Sequence, residues 1–201
     1  DTTMGWRFIN KKFNKDNYYP YTMGETAENV AERYNISREA QDAFGLKSQQ
    51  KYFAAQAAGK FNDEIVPVTI DLGKGKTTIF DTDEHPRETS LDKMAALKPA
   101  FKKDGTVTAG NSSGINDGAA ALLLASADAV KKYNLKPIAK IKSMAVAGVD
   151  PAVMGIGPIP ASQKALKRAG LEAKDLDLVE LNEAFAAQSI PCMQELGLDE
   201  E

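Results

Sequence analysis

Six places in the chain carry residue types that could do chemistry. Residues 106–126, TVTAGNSSGINDGAAALLLAS, together with the preceding Gly105, interleave Gly105, Gly110, Gly114 and Gly118 with Thr, Ser, Asn and Asp. Glycine tolerates φ > 0 and leaves N–H groups uncovered, so this backbone can lie against a ligand or simply turn into a core strand. Asn182 directly follows the apolar alternation LDLVEL. A side-chain amide at the carboxyl end of a strand can hold a water or donate toward a developing oxyanion, and it can equally cap the helix that NEAFAA begins. Arg87, just past an acidic turn, can stack on a base or bind phosphate, with a weak surface ion pair as the alternative. His85, the only histidine, reads as a solvated loop side chain without assigned chemistry. Cys192, the only cysteine, sits in the apolar IPCM and reads as a buried small hydrophobe. The GIGPIP run at 155–160 lacks a third glycine and a preceding strand, so it is no nucleotide loop.

Positioning these residues requires a mixed α/β chain. Ala27, Val30, Ala31 and Tyr34 define one face of a helix starting near Thr26 and stopping at Asn35. Ser37 is a good N-cap for a second helix ending at Gly59. Residues 64–72 form an edge strand interrupted by Pro67, pairing with 76–80 across Gly73-Lys74-Gly75. Ser90 caps a short helix through Met94 and Leu97, after which Pro99 and Phe101 lead into the glycine-rich hinge. The run 119–125 is too short for a membrane span and reads as a strand buried on both faces. Ser126 caps a helix through Lys132, 138–149 is a strand, and a helix from near Ala161 ends at Gly170. Residues 176–181 form a last short strand, with a helix starting at Asn182. Residues 1–22, rich in aromatics and lysine, read as an irregular segment packed on a partner surface.

The composition is that of an ordinary globular protein: 201 residues, 43% hydrophobic, 26% charged, net charge -3. A sequence pI near 5.4 gives no electrostatic reason to expect nucleic acid or an anionic membrane. One cysteine excludes an intrachain disulfide and a cysteine-based metal site, so no metal is expected and a cytoplasmic setting is. The chain opens at Asp1 rather than Met and closes just after a helical stretch, which suggests a piece of something longer.

Four segments, in order, resemble the thiolase family of acetyl-CoA acetyltransferases and 3-ketoacyl-CoA thiolases: YTMGETAENVA, TAGNSSGINDGAA, VDPAVMGIGPIPA and VELNEAFAA. The opening DTTMGWRF further resembles degradative members of the 3-oxoadipyl-CoA type. The resemblance implies a layered α-β-α-β-α fold, here incomplete, with an α+β loop domain. Residues 1–113 would be that loop domain, binding coenzyme A. Residues 114–134 would close the N-terminal half of the fold and 135–201 open the C-terminal half.

The implied reaction is acyl transfer between a 3-oxoacyl-CoA and coenzyme A through a cysteine thiolate. By resemblance, that cysteine lies before Asp1 and the partner histidine and cysteine lie after Glu201, so the chain alone is expected to be inactive. A noncatalytic coenzyme A-binding or dimerisation module is the alternative. Carried over position by position, Asn182 would hold the water of an oxyanion hole and Met154 would line the acyl pocket. Arg87 would meet the adenine end, Ser113 and Ala109 the pantetheine, Phe101 and Met23 its underside, and Phe185 the thioester region. Coenzyme A and acyl-CoA would be substrates, with no permanently bound cofactor, and the intact protein would be a homodimer or homotetramer. Acetoacetyl-CoA members commonly have histidine where this chain has Thr22, which favours longer or dicarboxylic acyl groups.

Overall fold

Hydroxyl side chains start most of the helices. A computed structural model describes residues 12, 13 and 20–199, so most of the aromatic opening, 1–11 and 14–19, lies outside the described residues. Thr22 caps α1 (Met23–Arg33) with a full capping box: its hydroxyl accepts from Glu25 N, and its own N–H donates to Glu25 Oε2 at 2.7 Å. The box moves the helix start three residues ahead of Thr26, where the apolar face begins. Ser37, Ser90 and Ser126 cap α2 (Arg38–Ala57), α3 (Leu91–Ala95) and α4 (Ala127–Lys132) as expected from sequence. Asn35 (φ 53°) and Gly59 (φ 68°) stop α1 and α2 in the left-handed region.

β1 (Val68–Gly73) and β2 (Lys76–Phe80) form the expected antiparallel hairpin, with Val68 opposite Phe80 and Ile70 opposite Thr78. Lys74 and Gly75 both have positive φ, as a two-residue hairpin turn matching strand twist demands. Pro67 stands just before β1, where no ladder N–H is lost.

Besides α1, two helices start elsewhere than the sequence suggests. α5 (Pro158–Ala169) begins inside GIGPIP, because Pro158 in the first turn brings a helical φ and lacks only an N–H that has no partner there. α6 (Ala186–Leu196) begins four residues after Asn182, so Asn182 does not cap it. The cause is a tertiary pairing. Ser113 N donates to Ala184 O and Ala186 N donates to Asn111 O, both at 2.9 Å, which holds Phe185 extended against Ser112.

α6 packs on α1 and α2. Ala27, Ala31, Val107 and Ala187 form one core cluster under Phe185, and Ile36, Ala186 and Ile190 form a second beside Tyr34 and Phe44. A short 3-10 stretch, Pro151–Ile156, crosses α1, where Asn29 Nδ2 donates to Ala152 O at 2.9 Å. No described helix is long and apolar enough to cross a membrane.

The three core strands expected at 119–125, 138–149 and 176–181 are not formed among the described residues. Leu122, Leu123 and Leu124 are 90%, 83% and 73% exposed, and Ile138 and Leu178 are also exposed. The reason lies in hydrogen bonding. A helix satisfies its own backbone, but a strand needs a neighbour, and none of these segments has one among the described residues.

Candidate functional site

A buried polar network is the frame of the site. Glu28, 4% exposed on α1, accepts from Thr106 N (2.9 Å), Val107 N (2.9 Å) and Thr106 Oγ1 (3.1 Å). Asp42, also buried, accepts from Arg38 Nε at 2.8 Å and from Asn111 Nδ2 at 2.9 Å. Asn111 in turn accepts from Thr108 N at 2.8 Å and donates to Thr106 O at 3.1 Å, so the loop is tied both to itself and to α2. Arg38 Nη2 reaches Met94 O and Leu97 O, binding α3 into the same assembly. Buried carboxylates are tolerated when donors fill their lone pairs, and here backbone amides and an Arg do so.

Three of the hinge glycines, Gly105, Gly110 and Gly114, serve packing, while a Cβ on Gly118 would meet nothing within 4 Å. None of Gly105, Gly110, Gly114 and Gly118 has positive φ, contrary to the use that composition suggests. A Cβ on Gly45 would stand 2.7 Å from Gly110 O, and one on Gly110 would stand 2.7 Å from Leu97 Cδ1. The loop therefore lies directly on α2 and α3, with hydrogen in place of side chains at the contacts.

The named site residues fall into linked groups. Ser113 and Asn182 line one cavity of about 270 Å³ together with Gln49, Tyr52, His85 and Pro86. Arg87 stands at its edge: its N–H donates to Gln49 Oε1 at 2.9 Å, while its side chain is exposed. Asn182 also borders a second, larger cavity of about 760 Å³, which Met154 lines. Its side-chain amide has no hydrogen-bond partner among the described residues. Phe101 and Phe185 meet edge to face, ring centroids 6.1 Å apart at 84°. Phe101 also covers Gly24, whose missing side chain makes room for the ring beside Met23. Met23 and Ala109 are both exposed, and Ala109 sits between buried Thr108 and half-buried Gly110. Phe185 joins the two groups, because its backbone bridges Ser112 while its ring meets Phe101.

His85 is exposed, with its ring against Gly114: a Cβ there would be 2.6 Å from Cε1. Cys192 is fully buried, and burial pushes its thiol above the ordinary value, against a smaller lowering by the Gln188 amide. Such a thiol is a poor nucleophile. Among the described residues no cluster of His, Cys, Asp or Glu could hold a metal ion.

The order of these parts matches a known family over almost the whole length. Residues 5–128 match the model of the thiolase N-terminal domain, and residues 135–201 match that of the thiolase C-terminal domain. The chain belongs to the thiolase family. It is 56% identical over 199 residues to a beta-ketoadipyl-CoA thiolase of Acinetobacter baylyi, covering 98% of this chain and 49% of that protein. It is 58% identical over 183 residues to an acetyl-CoA acetyltransferase of Chromobacterium violaceum, covering 90% and 47%. Human mitochondrial 3-ketoacyl-CoA thiolase in complex with CoA superposes with a TM-score of 0.80 at 52% identity, over 90% of this chain and 45% of that one. The chain thus spans about half the length of these thiolases, and its fold is an incomplete thiolase fold of the α/β class.

Sequence reasoning missed Glu28, Asp42 and Asn111 as the residues that hold this thiolase loop. A signal existed for the first: Glu28 lies between Ala27 and Ala31, on the border of the apolar face of α1. A carboxylate placed there must find donors nearby, and a glycine-rich loop supplies them.

Proposed function

We propose that the full-length protein transfers acyl groups between a 3-oxoacyl-CoA and coenzyme A, and that this chain supplies the coenzyme A groove and one oxyanion group. In that reading residues 1–113 are the coenzyme A-binding loop domain, 114–134 end the N-terminal half and 135–201 begin the C-terminal half. The observation that carries the reading is the pairing of 111–113 with 184–186, since it sets Ser113 and Asn182 on one cavity. Family membership and the coenzyme A bound to a related human thiolase support the choice of ligand.

The roles divide by chemistry. Ser113 and Ala109 contact pantetheine, Phe101, Met23 and Phe185 form an apolar floor, and Arg87 meets the nucleotide end. Asn182, with an unengaged amide, holds a water that donates to the enolate oxygen as negative charge develops. The acyl group is first taken by a thiolate and then by the thiol of coenzyme A. Buried Cys192 is unsuited to be that thiolate, so the nucleophile is a cysteine that this chain does not hold. Met154 lines the acyl pocket. Thr22, whose hydroxyl and N–H both donate to Glu25, stands where acetoacetyl-CoA members commonly have histidine, which favours longer or dicarboxylic acyl groups.

Thiolysis of a 3-oxoacyl-CoA by the full-length protein, followed as loss of magnesium-enolate absorbance, tests the reading. Asn182→Ala should lower kcat by about 100-fold with little change in KM, as expected for a group acting on charge in the transition state. An undiminished kcat would remove Asn182 from the catalytic machinery.

A further inference from the structure

We propose that Glu28 is the positioning residue of the coenzyme A groove: it touches no ligand and sets where Ala109 and Ser113 stand relative to Phe101 and Met23. This rests on the groove proposed above. Glu28 is 4% exposed, yet no cation pairs with it among the described residues, since Lys102 Nζ goes to Glu32 at 3.0 Å. Its donors are two successive backbone amides and one hydroxyl, all at residues 106–107. For burial alone an apolar side chain would serve beside Ala27 and Ala31. Two adjacent N–H groups captured by one carboxylate instead fix both the position and the direction of the chain at that point.

The floor and the wall of the groove both start from this point. On one side, Ala100 N donates to Val107 O at 2.9 Å, which places Phe101 over Gly24. On the other, Thr108 N donates to Asn111 Oδ1 at 2.8 Å, and Ser112 Oγ donates to Thr108 O at 2.7 Å, which sets the turn carrying Ala109 and Ser113. Because Glu28 is on the same helix as Met23, the floor and the wall share one rigid reference.

The test is steady-state thiolysis by the full-length protein. Glu28→Gln keeps the shape but leaves one neutral oxygen to serve two backbone N–H groups and sets an NH2 group against Thr106 N–H. The expected result is a rise in KM for coenzyme A of about fivefold or more with kcat within about twofold, the pattern of lost uniform binding. Thr106→Val removes the hydroxyl leg, and with it the acceptor of Gln41 Nε2 at 2.9 Å, while both backbone legs stay, and should raise KM in the same direction by less; it decides the matter if Glu28→Gln does not fold. A lowered Tm with unchanged KM, or a fall in kcat alone, overturns the proposal. Ser113→Ala in the same assay separates the two readings. If it raises KM and neither Glu28→Gln nor Thr106→Val does, the role of Glu28 falls and the groove stands; if none of the three raises it, both fall.

Discussion

Residues 106–113 and residues 114–124 are adjacent in sequence and opposite in structure. In the first, Val107, Thr108 and Asn111 are buried and the polar groups of the loop are largely bonded to α1, α2 or one another. In the second, an apolar run that composition marks as a core strand stands exposed. The difference is one of range rather than hydrophobicity. The loop finds its partners on helices whose own backbones are already satisfied. The run needs a neighbouring strand and a layer on each face, which are non-local and not met by any described residue.

The largest expected effect breaks or confirms that contrast. Leu123→Ala in the full-length protein should lower unfolding free energy by about 2–5 kcal/mol, the usual range for a core leucine. In the 201-residue chain the same change should stay within about 0.5 kcal/mol, as for a surface site. Urea unfolding of the four proteins measures both. A full-length variant as indifferent as the short one would mean that the run is a surface segment and that its composition misleads.

A smaller effect sharpens the other side. Asn111→Ala removes the acceptor of Thr108 N and the donor to both Asp42 Oδ1 and Thr106 O, leaving at least two buried polar groups, Thr108 N and Asp42 Oδ1, without these partners. The expected loss is about 2–4 kcal/mol, since each such group costs about 1–3 kcal/mol. It should appear equally in the short chain and the full-length protein, because every partner of the side chain lies within residues 42–111. A loss seen only at full length would show that the loop, too, depends on distant contacts.

How much was legible follows the same division. Helix caps at Ser37, Ser90 and Ser126, the Gly59 and Gly170 stops and the turn at Lys74-Gly75 were readable because each is decided by a few neighbouring residues. The start of α6 was not, because the bonds that hold Phe185 extended come from residues 111–113, some 70 positions earlier. The same pairing explains why Asn182 stands free of the helix. Gly105 and Gly110 were legible as places of close approach, but their neighbours proved to be Glu28, α2, Met94 and Leu97, which no local pattern names. Glu28 itself was concealed by an ordinary-looking helix, since its donors lie 78 residues away.

The smallest expected effect concerns α6, the helix that both clusters of the core share. Cys192 is fully buried, and its Sγ approaches Gly155 O at 3.5 Å and the Gln188 amide at 3.8 Å. Burial raises the thiol above the ordinary value of 9.0, outweighing the opposite influence of Gln188. The folded chain therefore holds this proton more tightly than the unfolded chain does. Its contribution is full below the unfolded value and declines as pH rises through the folded one. The gap in unfolding free energy between wild type and Cys192→Ala should accordingly be flat between about pH 6 and 8, and narrow at higher pH as the unfolded thiol ionises first. Urea titrations across that range measure it, with Cys192→Ala removing the slope that the thiol adds. A gap that widens above the ordinary thiol value would mean that the thiolate is favoured in the folded state. That result would place Cys192 in a polar, accessible setting, reopen it as a nucleophile, and contradict the packing of α6 against the 3-10 stretch at 151–156.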